Sequence, residues 1–281
     1  QGSTIIDDYH VAACLKHFVG YSVPKSGRDR TPALIPERTM QELHLPVFRK
    51  AIDQGALTVM VNSGEVNGIP GHANKYLLTD VLKDEWGFQG FAISDWEDFL
   101  NLHKVAQTDS TVKDAIATAI NAGVDMSMVP NNPEYKKYCE FLVELINEGR
   151  VSRERIDDAV RRILRVKSQL GLLENYTIVD LDDYPKFASN QHKKFAYNAA
   201  SESITLLENR NKILPISKDK SILLIGPTAN SLNCLNGAWT HTWQGLDNKY
   251  NNDFPTIKDA LESYYPNLDF FEGSKMIMQD G

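Results

Sequence analysis

Apolar residues in this chain cluster in short runs, and amphipathic stretches lie between them. The run at 11–19 reads as a strand ending in Lys16-His17, and 20–36, with its Gly, Ser, Pro and charges, reads as a long loop. Over 37–54 the positions Met40, Leu43, Val47, Phe48, Ala51 and Ile52 fall on one helical face, with Pro46 near a bend or a helix start. A second buried strand is expected at 56–61, ending in Asn62-Ser63-Gly64-Glu65, and a helix at 76–85. The turn Gly87–Gly90 leads into a third strand, Phe91-Ala92-Ile93, which stops at Ser94-Asp95-Trp96. A helix over about 111–121 ends at Gly123, and Val124–Val129 reads as a fourth strand.

This βα pattern, repeated four times, predicts an α/β fold of parallel strands joined by right-handed crossovers. Helices follow at 134–148 and 152–170. The second carries a stripe of Ile156, Ala159, Val160, Ile163, Leu164 and Leu170, with Ser152 as N-cap and Gly171 beyond its end. After a weakly periodic stretch at 172–190 come a helix at 191–203 and a strand at 221–226 that breaks at Gly226-Pro227. A loop rich in Asn, Gly and Trp fills 235–253, and a helix at 255–264 and a strand at 268–271 close the chain. Four parallel strands do not close a barrel, which needs about eight. The chain therefore reads as a piece of a longer protein, beginning in mid-loop and stopping at Asp280-Gly281.

Composition narrows the function. The 281 residues are 42% hydrophobic and 24% charged, which suits a globular protein with a sizeable core. A net charge of −7 argues against nucleic acid or an anionic membrane as the main partner. No run approaches the roughly 18 apolar residues of a membrane span. The first residues, Gln1-Gly2-Ser3-Thr4, do not read as a signal peptide. Cys14, Cys139 and Cys234 are too far apart for a disulfide framework or a zinc spacing, so no metal site is expected.

The chemistry is expected where strands end. In parallel α/β folds, reactive groups gather at the C-terminal ends of the strands. Asp95 stands at such an end. It can attack an electrophilic carbon or stabilise a cation, and Trp96 beside it offers a flat face to a ring-shaped substrate. The plain alternative is that Asp95 caps the next helix. Lys16-His17 and Asn62-Ser63 end the neighbouring strands, so all three ends share one rim. A cation, an imidazole and a carboxylate suit a polyhydroxylated ligand, and Lys16 would help keep Asp95 ionised. A nucleotide-binding reading of Ile225-Gly226-Pro227 fails for want of a G-x-G-x-x-G run.

The set Lys16-His17-Phe18, Ser94-Asp95-Trp96 and Gly123-Val124-Asp125-Met126 closely resembles glycoside hydrolase family 3, in its β-glucosidase branch. Further matching pieces are Arg38 to Phe48, Val66-Asn67-Gly68-Ile69-Pro70, Gly237-Ala238-Trp239-Thr240 and Trp243-Gln244-Gly245. The resemblance implies the second half of a (β/α)8-type barrel at 1–172, a linker at 173–215 and the start of an α/β sandwich domain at 216–281. It implies a retaining exo-acting β-glucosidase with Asp95 as nucleophile. Lys16 and His17 would bind hydroxyls of the terminal sugar, with Arg28, eleven residues past His17, as a weaker match. Trp96 and Trp243 would wall the next subsite.

The family's acid/base Glu is not found in this chain. The branch acting on N-acetylglucosaminides uses a His-Asp loop where this chain has Val19-Gly20-Tyr21-Ser22, and many relatives have a Tyr in place of Ser63. No cofactor is implied. Alternatives are a β-xylosidase or another β-glycosidase of the family, or a catalytically incomplete sugar-binding fragment. The expected partners are an oligosaccharide or β-glucoside and the rest of the same enzyme. The family habit is periplasmic or secreted. The other histidines (His10, His44, His72, His103, His192) read as surface or satisfied core positions, and Glu65 as a residue that fixes its own loop. Asp125 reads as structural, His241 as a loop residue beside the Trp pair, and Asn175-Tyr176-Thr177 as a chance match to a glycosylation acceptor.

Overall fold

A computed structural model describes residues 6–7, 10–129, 134–173, 180–240, 242–245 and 254–274. Asn175 and His241 lie outside these. The chain divides into two compact units, 1–179 and 180–281.

The first unit is built on three parallel strands in sequence order. These are β1 (Cys14–Phe18), β2 (Thr58–Val61) and, after the short antiparallel pair β3 (Glu65–Val66) and β4 (Ile69–Pro70), β5 (Phe91–Ile93). Val59 pairs with both Leu15 and Ala92, so β2 is central. The expected fourth strand shrinks to one parallel bridge, Ile93 to Met126. Its backbone hydrogen-bonds Ala92 and Ser94, and the chain then turns so that the Met128 amide donates to Ser94 Oγ.

Helices fill the crossovers. Glu37–Thr39 runs through a wider π-type turn, Met40–His44, into Leu45–Asp53, making one helix, α1, with Pro46 in the first turn of its last segment. The helix α2 (Tyr76–Glu85) is also π-type. The sequence pattern did not reveal the short α3 (Asp98–Lys104), which directly follows the Asp95 turn. The helix α4 (Val112–Ala122) starts at Thr111, whose side chain accepts the Asp114 amide, and ends at Gly123, where φ is 124°. Next come α5 (Glu134–Asn147) and α6 (Arg153–Gln169). Ser152 caps α6 by accepting the Arg155 amide, as its position predicts.

The core lies between sheet and helices. Phe18, Val59, Val61 and Ala92 from the strands pack with Leu78, Val81 and Leu82 of α2 and Ile116 and Ile120 of α4. Each fully buried aliphatic side chain contributes about 1.5–3 kcal/mol. The Phe18 ring meets Phe48 edge-on at 5.2 Å and Trp86 at 5.9 Å. Gly90 has a steric reason: a Cβ there would lie 2.0 Å from the Leu57 carbonyl oxygen. β5 therefore approaches β2 closely only because that residue is glycine.

The second unit holds α7 (Asn190–Ser203), the parallel pair β6 (Ile222–Ile225) and β7 (Leu268–Phe271), and α8 (Ile257–Glu262) between them. A reciprocal box of Thr256 and Asp259 caps α8. Along the strand pair, Leu223, Ile225 and Phe271 are exposed, whereas Ile222, Leu224 and Phe270 are partly covered.

Candidate active site

The rim of the first unit assembles where the strands stop. Asp95 sits just past β5, buried except for 8% of its surface. Its carboxylate is held on both oxygens. Ser63 Oγ donates to Oδ2 at 2.6 Å, and the Trp96 amide donates to Oδ1 at 2.6 Å. His17 Nε2 lies 3.2 Å from Oδ2, and the Arg30 guanidinium lies 4.0 Å from Oδ1. Burial works against ionisation, but the Ser63 and Trp96 hydrogen bonds, with His17 and Arg30, outweigh it. The net effect holds the carboxyl below its ordinary range. Asp95 is therefore an anion at neutral pH, and a small part of it meets solvent.

The capping alternative fails on geometry. Asp95 stands three residues before α3, and the flanking residue Glu97 makes no side-chain cap. The backbone amide that donates to the Asp95 carboxylate is that of Trp96, ahead of α3, within a turn that puts Glu97 at φ 55°.

Behind Asp95 sits His72, buried to 2%. The Asp95 amide donates to His72 Nε2 at 3.2 Å. Burial pushes the imidazole down to about 3, so it is neutral and its accepting nitrogen carries no proton. The sequence reads His72 as a surface or satisfied core position. It is the latter, yet what it satisfies is the Asp95 backbone. Gly71 beside it has no room for a side chain, because a Cβ would lie 2.2 Å from the Asn62 carbonyl oxygen.

The other expected residues divide. His17 is half-buried, and burial lowers its pKa against the pull of Asp95. Its ring stacks on Tyr21 at 4.3 Å. Lys16 is exposed next to it, and its charge acts on His17. Trp96 exposes 45% of its surface. The groups that help keep Asp95 ionised include Ser63, the Trp96 amide, His17 and Arg30, the last of these unforeseen. Arg28, the arginine implied by the family resemblance, is exposed on the 20–36 loop, and its amide donates to Ser26 Oγ. Arg30, two residues on, reaches the rim instead. Its φ of 58° reverses the chain there, a conformation that no residue pattern betrays. Its guanidinium lies 3.7 Å from Asp98 as well. Glu65 is half-exposed, and its backbone pairs with Ala33 and Pro70, as a loop-fixing residue would.

In the second unit the Trp loop folds on itself. The Trp239 amide donates to the Trp243 carbonyl at 3.0 Å, and the Asn236 side chain donates to Gly245. Both rings face outward, with Trp243 57% exposed. Among the described residues, no group of three or more His, Cys, Asp and Glu side chains could hold a metal ion.

An anionic carboxylate at a strand end, wrapped in donors and open on one side, is equipped to meet an electron-poor carbon in a hydroxyl-rich ligand. The family profile described as "Glycosyl hydrolase family 3 N terminal domain" matches residues 2–166, more than half of the chain. The chain belongs to glycosyl hydrolase family 3. Among curated relatives it is 44% identical over 234 residues to a lysosomal beta glucosidase of Dictyostelium discoideum, covering 82% of this chain and 28% of that protein. It is 34% identical to a periplasmic beta-glucosidase of Salmonella typhimurium, covering 85% and 31%, and 35% identical to a beta-xylosidase of Formosa agariphila, covering 82% and 32%. Among solved structures, the beta-glucosidase of Listeria innocua in complex with glucose superposes with a TM-score of 0.80 at 31% identity, covering 95% of this chain and 35% of that one. The chain thus spans about a third of the length of these relatives.

Proposed function

We propose that this chain supplies part of the active site of a retaining exo-acting β-glycosidase that removes terminal β-linked glucose. The observation that carries the reading is Asp95. It is a carboxylate held ionised by Ser63, the Trp96 amide, His17 and Arg30 at the end of a parallel strand. Asp95 attacks the anomeric carbon and forms a glycosyl ester. A second carboxyl about 5–5.5 Å away protonates the leaving oxygen and then activates water. That acid/base is proposed to come from a stretch that the relatives have and this chain does not span. His17, Lys16 and Arg30 bind hydroxyls of the terminal sugar, with Arg30 taking the place expected of Arg28. Trp96 is an aromatic face for the next sugar, and Trp243 is proposed as an outward-facing aromatic of the second unit.

The same reading makes residues 1–172 the second half of a (β/α)8-type barrel, since the three strands run parallel in sequence order. Residues 173–215 are then the linker, and 216–281 begin a sandwich domain. A periplasmic or secreted setting is part of the same reading, and the names of two relatives say lysosomal and periplasmic. The relative named beta-xylosidase favours a second reading, xylose in the glycone site.

The test uses 2,4-dinitrophenyl β-glucoside and β-xyloside, whose leaving group needs no acid. A burst of dinitrophenolate equal to the enzyme concentration with the glucoside is expected. A burst with the xyloside alone would move the assignment to xylose, and no burst with either would overturn the reading.

A further inference from the structure

Asp98 is the group at the rim that the scheme above leaves unused. It is 3% exposed, and its Oδ2 has no hydrogen-bond partner among the described residues. Asn101 Nδ2 donates to Oδ1 at 2.7 Å, and Arg30 Nη1 stands 3.7 Å from the same oxygen. An isolated buried carboxylate is costly and persists only where something compensates for it. Here the charged compensator is Arg30, which is 36% exposed and lies within 4.0 Å of Asp29, Asp95 and Asp98. Asp29 offers it an exposed alternative at 3.8 Å, and the Arg30 backbone sits in the left-handed region at φ 58°. Among carboxylates, the guanidinium therefore has one, Asp29, that draws it outward and that also accepts from the Tyr21 hydroxyl, and two that hold it at the rim. Of those two, Asp98 is the closer and the more deeply buried.

We propose that Asp98 is a positioning residue that acts through Arg30: its buried carboxylate shares the guanidinium with Asp95 and keeps it at the rim, away from Asp29. The inference rests on Asp95 being the nucleophile and on Arg30 facing the sugar. Burial raises the Asp98 carboxyl to about 6, against the pull of Ser63, Asn101 and Arg30 and with the push of Asp95. The groups acting on it are Arg30 from the 20–36 loop, Ser63 after β2, Asp95 after β5 and Asn101 of α3, and neutral His72 and Glu65 line the same cavity. Asp98 is thus charged at pH 7.5 and neutral at pH 4.5, while Asp95 remains an anion down to a lower pH. Below about pH 6 the anchor lets go, and Arg30 turns toward Asp29.

The test has two readouts. In protein labelled with 15N-arginine, the Arg30 Nε signal, identified by its loss in Arg30→Lys, is followed from pH 4.5 to 8. A midpoint near 6 is expected in the native protein, and none in Asp98→Asn. The second readout is the rate of inactivation by 2,4-dinitrophenyl 2-deoxy-2-fluoro-β-glucoside. Asp98→Asn should react about tenfold more slowly at pH 7.5, a barrier change of about 1.4 kcal/mol, and equally with native protein at pH 4.5. Asp98→Glu should recover part of the rate. Equal rates at pH 7.5, or an Arg30 signal indifferent to pH, would overturn the proposal. If native protein is not inactivated at all, the nucleophile assignment fails, and the Arg30 signal still decides the role of Asp98. If Asp98→Asn does not fold, the native titration decides alone.

Discussion

Two aspartates end neighbouring segments of the same sheet and meet opposite fates. Asp125, beside the Met126 bridge, has a side chain with no exposure at all. Lys83 donates to its Oδ1 at 2.7 Å, Arg155 donates to the same oxygen, and the Ala92 amide donates to Oδ2 at 2.8 Å. Burial brings Lys83 down to about 8, so it is still mainly charged at neutral pH and the pair stays ionic. Three residues past Ala92, Asp95 has short bonds only from a hydroxyl and an amide, and its cationic partner Arg30 stands off at 4.0 Å. A carboxylate sealed by two direct cations is fastened to the fold. One with longer-range charge and an open side remains available for chemistry.

The difference also shows in what each carboxylate ties together. Asp125 joins α2, α6 and β5 through Lys83, Arg155 and Ala92. Farther along α6, Arg162 donates to the Phe88 and Gly90 carbonyls and Arg165 to that of Gln89, which pins the turn leading into β5. The strand that carries Asp95 is thus held at its start by one ionic cluster, so its end can be left partly unsatisfied.

The largest contrast comes from exchanging each carboxylate for its amide. Asp95→Asn should lower the rate with the dinitrophenyl glucoside by roughly 10^3-fold or more and leave chemical denaturation within about 1 kcal/mol of native. Asp125→Asn should do the reverse on stability. It strips the charge from a buried group facing Lys83 and Arg155, at about 3–5 kcal/mol by urea unfolding. If Asp95→Asn unfolds the protein or Asp125→Asn leaves its stability unchanged, the division into chemical and structural carboxylates is wrong. A smaller effect is expected at the clamp. Arg162→Met removes two bonds to carbonyls and should cost about 1–3 kcal/mol, with protection of the Gly90 and Phe91 amides against hydrogen exchange falling first. The smallest is expected on the surface, where Arg38→Ala breaks an exposed pair with Glu42 and should change stability by less than about 0.5 kcal/mol.

Much of this was legible in the sequence because it is local. Short apolar runs ending in polar residues gave β1, β2 and β5 and placed Ser63, Asp95 and Trp96 just past strand ends, whereas Lys16 and His17, expected at the end of the first strand, lie inside β1. Ser152 and Gly123 marked helix limits through capping chemistry. What stayed hidden depends on contacts between distant residues or on backbone shape. His72 is 23 residues from Asp95 and looks like any core histidine until the fold sets its ring behind that amide. Arg30 and Arg28 differ only by the left-handed turn at Arg30. The helix α3 is seven residues long and starts without a side-chain cap, so neither periodicity nor a cap residue announces it. Val124–Val129 has the apolar character of a strand, but Asp125 is drawn sideways to Lys83 and Arg155, and pairing stops at one bridge.

The central claim is that Asp95 is the nucleophile, and the most direct measurement is trapping. The protein is treated with 2,4-dinitrophenyl 2-deoxy-2-fluoro-β-glucoside, its intact mass is recorded, and the labelled peptide is sequenced by fragmentation. One fluoroglucosyl group on Asp95, absent in Asp95→Asn, is the predicted result. A label on Glu65 or Asp98, or equal labelling of Asp95→Asn, would contradict it.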